Sequence, residues 1–154
     1  MKATTAGSIS NEIGPRARRV HEFVETQRRI REAGVSGASD WDALDAFVSV
    51  DTFKRVGAYL EELDWRQYKA FLTGWIDGGT RFEMTEFAIS EIGDTVFQEI
   101  EERHYRGNEF IRKNVIAVYR FDDRGRIAHL DIYEQARDSG RWIAESAAAA
   151  MAQH

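Results

Sequence analysis

The sequence predicts an α+β domain in which helices come first and a long, curved antiparallel sheet follows, wrapped around them. Two observations carry this. Thr80 to Gln135 reads as four consecutive strands separated only by the short turns "EIGD", "RGN" and "DDRG", and strands joined that tightly are antiparallel neighbours. Before Thr80 the apolar residues recur at helical spacing instead. Helices followed by strands, rather than alternation of the two, place the helices on one face of the sheet.

Residues 1–9 read as a tail, and 10–154 as one domain, the number a chain of 154 residues suggests. Pro15 suits the first turn of a helix carrying Val20, Phe23, Val24, Gln27 and Ile30 on one stripe, and Gly34 to Gly37 end it. "SDWDALDAFV" starts a short helix, with Ser39 and Asp42 placed as N-cap and N3. "VDTFKRVGAY" reads as a short strand. "LDWRQYKAFLTGWIDGG" is the clearest helix. Asp64 caps it with Gln67 three residues on, Tyr68, Phe71, Leu72 and Trp75 form its apolar stripe, and Gly78-Gly79 stops it. The four strands run "TRFEMTEFAIS", "TVFQEIEERHY", "EFIRKNVIAVYRF" and "RIAHLDIYEQ", and "AESAAAAMAQ" is an Ala-rich helix or a frayed end.

Composition excludes several functions. With 43% apolar and 12% aromatic residues the bulk of the chain has a core. A net charge of -5 argues against nucleic acid as a partner, and the basic stretch "RARRVHEFVETQRRIR" alternates with apolar positions as a solvated helix face does. The absence of cysteine rules out disulfides, thiolate metal sites and a Cys nucleophile. No two His stand at i, i+4, no G-x-S-x-G occurs, and "DGGT" lacks the Lys of a phosphate-cradling loop. No apolar run reaches membrane-spanning length and "MKATTAGSIS" lacks the apolar stretch of a secretion signal, so the expectation is a cytoplasmic protein with no membrane partner.

Period-two alternation then divides each strand. Phe97, Glu99, Glu101, Arg103 and Tyr105 form a charged side that wants water or a partner subunit; Val96, Gln98, Ile100, Glu102 and His104 form the other. That second side is apolar at one end and polar at the other, as a strand lining a half-dry pocket would be. Lys113 joins it from the next strand, beside Ile111, Val115, Ala117 and Tyr119. A carboxylate and an imidazole held on an apolar wall perturb each other and suit acid–base work. The alternative is that Glu102 and His104 lie at a rim beside "RGN" and only solvate it. In the last strand Leu130, Ile132 and Glu134 read as a core wall ending in a carboxylate. His129, Asp131 and Tyr133 read as convex contacts unless a bulge turns them inward. Glu83 and Glu86 lie on opposite faces of their strand, and Glu86 is the inward candidate.

The order of elements, with "WDALDAF", "DWRQYKAFL" and a final hairpin "VYRFDDRGRIAHLDIYEQ", resembles the SnoaL-like and nuclear transport factor 2-like superfamily from about Pro15 to Gln135. That resemblance implies a cone-shaped sheet enclosing an apolar pocket, activity without metal or organic cofactor, and homodimers or higher homo-oligomers through the convex face. Such proteins include isomerases, polyketide cyclases, epoxide hydrolases, dehydratases, formaldehyde-releasing lyases and non-catalytic modules, so the fold does not choose among them. In limonene-epoxide hydrolases an Asp–Arg–Asp set activates water. Matched at "TV" and at the hairpin Gly, those positions fall on Glu102, Ile100 and Ile132, two of them apolar here. Phenazine-pathway relatives put a catalytic Glu at the Ile132 position, which closes that route as well.

The expectation is therefore a cofactor-independent lyase or dehydratase acting on a small, largely apolar, aromatic hydroxylated substrate. One form implied by the resemblance is formaldehyde-releasing cleavage of a lignin-derived diarylpropane. The alternatives are an isomerase or cyclase, or a ligand-binding or assembly module. Glu102, His104 and Lys113 are the expected catalytic residues. Arg55 and Tyr59 at the mouth, Tyr68, Phe71 and Trp75 as an aromatic wall, Glu86 and Glu134 as polar neighbours, and Ile100, Leu130 and Ile132 as apolar lining are the expected substrate contacts.

Overall fold

The computed structural model describes residues 13–137 and 141–153; the expected tail at 1–9 lies outside them. Helix α1, Pro15–Ala33, is followed by a 3₁₀ helix, Ala38–Phe47, strands β1, Lys54–Val56, and β2, Glu62–Leu63, and helix α2, Trp65–Asp77. Four long strands come next: β3, Arg81–Ile92; β4, Thr95–Arg106; β5, Glu109–Phe121; and β6, Ile127–Ala136; helix α3, Arg141–Met151, completes the described chain. The six strands form one curved, unclosed sheet in the order β2-β1-β6-β5-β4-β3. The long strands are antiparallel as expected. The short β1 runs parallel to β6, pairing Arg55 with Leu130, so the sheet is mixed at that edge. No helix among the described residues is long and apolar enough to cross a membrane.

Each helix end shows which group supplies the missing backbone partner. Asp64 accepts from the Gln67 amide at 2.8 Å while the Gln67 side chain accepts from the Asp64 amide at 2.9 Å, the expected reciprocal box. Helix α1 has no cap from its own Gly14; the Glu91 carboxylate, from β3, accepts the Arg16 amide at 2.7 Å instead. At the other end Gly34 holds φ 95°, which a residue with a Cβ reaches only under strain. The 3₁₀ helix corrects the expected cap: it starts at Ala38, and Asp40 rather than Asp42 closes it, accepting the Ser36 and Gly37 amides at 2.7 and 3.1 Å. Three residues per turn align Trp41, Leu44 and Phe47 toward the core and Asp42 and Asp45 toward Lys69, whose ammonium lies 2.9 and 3.3 Å from them. The Ala-rich end is a helix, and its Ala147 and Ala150 are buried.

The core lies between the concave sheet face and the helices. Phe53, Trp65, Tyr68 and Phe71 form a run of rings with centroids 5.1 to 6.2 Å apart. Two buried indoles find partners: Trp41 donates to Thr73 at 3.0 Å and Trp65 to Asp45 at 2.6 Å. A bulge in β3 between Glu86 and Ala88 leaves the Phe87 side chain exposed on the sheet surface. A second irregularity, where Arg120 pairs with His129 but Phe121 with Ile127, comes too early in β6 to invert it. His129, Asp131 and Tyr133 stay opposite in parity to the lining residues Leu130 and Ile132; His129 bonds Asp131 at 2.9 Å, and Asp131 meets Arg120 at 3.4 Å.

Candidate active site

The concave parity of β4 gives a buried row, Val96, Gln98, Ile100 and His104, with Glu102 among them. Strand pairing sets the neighbours: Glu102 stands between Met84 on β3 and Lys113 on β5, and His104 between Phe82 and Ile111. Helix α2 lies over this row and walls a cavity of about 120 Å³. Glu102 and His104 are therefore not a solvated rim. Trp75 from α2 and Phe82 from β3 hold the imidazole in an aromatic slot, with centroids 5.3 and 5.1 Å away and both rings edge-on.

Four ionisable groups form a chain along this wall. His104 Nε2 lies 2.9 Å from Glu102 Oε2. Lys113 Nζ is 3.6 Å from that same oxygen and 2.7 Å from Glu134 Oε2. Burial pushes the Glu102 carboxyl up, but the hydrogen bond from His104, the Lys113 and His104 charges and Arg55 outweigh it and hold the group below the usual carboxylate range. Glu102 is thus ionised at neutral pH and only accepts, so His104 donates through Nε2. Burial pushes the Tyr68 and Tyr119 phenols up, which keeps both neutral and able to donate. Arg55 reaches in from β1 beneath the Phe71 and Tyr68 rings, 5.0 and 5.7 Å from their centroids, with Glu61 at 3.6 Å. Its Nη1 is buried with no hydrogen-bond partner among the described residues.

The structure brings Glu102, His104, Lys113, Arg55, Tyr68, Phe71, Trp75, Ile100, Leu130 and Ile132 to this one cavity. Three expected contacts lie elsewhere. Tyr59 is 61% exposed: β1 stops at Val56, and a tight turn with Leu60 at φ 63° carries Tyr59 out to solvent. Glu86 faces inward but sits under α1, accepting from Gln98 at 2.9 Å and meeting His21 at 2.8 Å. Glu134 does not line the cavity but meets Lys113, which does, at 2.7 Å. Residues outside the expectation also line the cavity, among them Gln27, Arg31, Gln98, Tyr119 and Ile143. Gln98 and Tyr119 shared the inward parity. Gln27 and Arg31 continue the α1 stripe from Val24 at three and seven residues on, where the basic composition of that helix suggested solvent.

A broader open groove of about 880 Å³ runs between α1 and β3 and shares Val24, Arg31, Phe82 and Met84 with the cavity. Its other charges are matched: Arg28 with Glu25 and Glu32, Arg81 with Glu83, and Arg103 with Glu101. No cluster of three or more His, Asp or Glu suited to a metal ion occurs among the described residues.

Curved sheet, covering helices and the cavity between them together define the SnoaL-like, or nuclear transport factor 2-like, fold, and comparison of structures agrees. An epoxide hydrolase of the limonene-epoxide-hydrolase-like type from M. tuberculosis superposes with a TM-score of 0.61 and 20% identity, covering 88% of this chain and 94% of that one. A steroid delta-isomerase from Pseudomonas aeruginosa gives 0.59 and 15%, covering 91% and 94%. A SnoaL-like polyketide cyclase from Jannaschia sp. CCS1 gives 0.57 and 14%, covering 81% and 91%. No protein-family model matches the sequence, and no curated protein does.

Proposed function

We propose that the chain is an acid–base enzyme of the lyase or dehydratase type, acting on a small hydroxylated ring substrate. The observation that carries this is Glu102: a carboxylate held ionised inside the cavity, hydrogen-bonded to an imidazole and 3.6 Å from a buried ammonium. Glu102, or His104 oriented by it, takes a proton from the substrate. The electron pair released forms a double bond, and the departing hydroxyl leaves as water with a proton returned by the acid partner. Lys113, Arg55 and the neutral Tyr119 stabilise charge developing on oxygen. Tyr68, Phe71 and Trp75 hold the ring.

The volume favours one ring. A cavity of about 120 Å³ is close to the roughly 150 Å³ that takes up benzene in an engineered apolar core. A diarylpropane diol would place its second ring in the outer groove. With the substrate so placed, the base takes the terminal hydroxyl proton, the C–C bond breaks to free formaldehyde, its electron pair forms the alkene, and the benzylic hydroxyl leaves as water with a proton from the acid partner. Epoxide opening is disfavoured because Ile100 and Ile132 line the cavity at two of the positions that chemistry needs charged. Isomerisation of a ketone would use the same base and return the proton to another carbon, giving a product of unchanged mass. Phe97, Ile116 and Tyr133, exposed on the convex face, are the expected homodimer surface.

The test is a panel of single-ring alcohols and ketones followed by mass spectrometry, with wild type, Glu102→Gln and His104→Ala in parallel. Product lacking water or formaldehyde, with turnover falling at least about 100-fold in each variant while circular dichroism shows that variant folded at the assay temperature, supports the reading. Undiminished turnover in both variants would overturn it.

A further inference from the structure

Each cation lining the cavity can be matched to a carboxylate, with one exception. Lys113 meets Glu134 and Glu102, His104 meets Glu102, and Arg55 meets Glu61. Arg31 makes no ion pair among the described residues. It stands in the last turn of α1, where a basic side chain complements the helix dipole from solvent as well as from inside. Instead it turns in, stacking over Phe82 with its guanidinium 4.9 Å from the ring centroid. Phe82 in turn packs edge-on to His104 at 5.1 Å. Arg31 is also common to the cavity and the outer groove, so it lies where one opens into the other.

A partly buried guanidinium with no ion-pair partner in contact is costly, and burial lowers the Arg31 pKa below its ordinary value although Glu32 and Glu102 at longer range pull the other way. An anionic ligand removes that cost, and the planar guanidinium fork suits a carboxylate. We infer that the substrate is a ring carboxylic acid: the ring enters the aromatic cavity and the carboxylate stays at the mouth on Arg31, beside the His104–Glu102 pair. Arg31 is then a substrate-binding residue that fixes which end of the molecule enters. The like charge of Glu102 deeper in the cavity disfavours the reverse orientation. This inference rests on the acid–base reading only for what happens next; binding itself tests it.

The experiment is calorimetric titration of the full chain with benzoate and phenylacetate, each against its neutral amide. Wild type is expected to bind the carboxylates roughly 10- to 100-fold tighter than the amides, as charge-assisted hydrogen bonds permit. Arg31→Met should erase that preference by lowering carboxylate affinity far more than amide affinity, and Arg31→Lys should restore part of it. Carboxylates binding no better than amides to wild type, or failing to bind at millimolar concentration, would overturn the inference without any variant. So would a preference that survives Arg31→Met and vanishes in Arg55→Met. Glu102→Gln separates the two readings. A carboxylate preference alongside undiminished turnover in that variant sinks the acid–base assignment alone; lost turnover with no carboxylate preference sinks only this one.

Discussion

Replacing Lys113 by methionine removes the one ammonium of the cavity wall and keeps most of its packing volume. Its side chain and that of Glu134 are each only 8% exposed, 2.7 Å apart, with Glu102 a second neighbour at 3.6 Å. Breaking a buried pair by removing one partner costs about 3–5 kcal/mol, because the remaining charge is left uncompensated. Glu102 keeps its bond from His104, which points to the lower end, about 3 kcal/mol. For a chain of this length that corresponds to a fall in thermal midpoint of roughly 6–12 °C. Differential scanning calorimetry, with urea unfolding for the free energy, measures it. Adding Glu134→Gln to Lys113→Met should recover part of the loss, since the buried carboxylate that lost its ammonium goes as well, and the double-mutant cycle isolates the coupling. A loss below about 1 kcal/mol, the range of exposed pairs, or a double variant no more stable than Lys113→Met, would refute the argument that this pair is buried and mutually dependent.

Trp75→Ala should cost about 3–5 kcal/mol, read in urea, from the cavity left above the sheet; it should also free the His104 ring, seen as averaged imidazole signals in NMR. Asp64→Ala removes a helix cap and should cost about 1 kcal/mol, read as a lower urea midpoint at unchanged slope. Tyr59→Ser should change neither ligand affinity nor stability beyond about 0.5 kcal/mol; a measurable loss of affinity would put that tyrosine back in the site. The pH dependence follows from the depressed Glu102 carboxyl. Its contribution to stability is complete above the ordinary value of 4.5 and is lost as pH falls through the lower folded-state value. Wild type should therefore lose more stability than Glu102→Gln across that acid range, in urea titrations at stepped pH.

Much of the site was legible because its polar residues obey the strand period. Glu102 and His104 sit on the same parity as Val96 and Ile100, and a side chain two positions along a strand returns to the same face. Whether that face was a cavity or a rim was not legible, since it depends on Trp75 of α2 and Phe82 of β3 meeting over His104, a contact between distant elements. Tyr59 was misplaced because β1 is only three residues long and parity ends where the strand does. Glu86 kept its parity, but α1 crosses above it and turns a cavity position into a helix–sheet contact with His21. Arg31 was hidden by composition: in a helix crowded with arginines, only the stripe through Val24 and Gln27 marked it as inward. The Glu91 cap on α1 joins residues 75 apart in sequence, and no local pattern announces it.

The proposed chemistry depends on Glu102 standing ionised inside the cavity, and a titration of its side-chain carboxyl by carbon-13 NMR tests that most directly. The expected result is a midpoint below the ordinary carboxylate value that moves upward in Lys113→Met. A midpoint at or above that ordinary value in the wild-type protein, indifferent to Lys113, would contradict it.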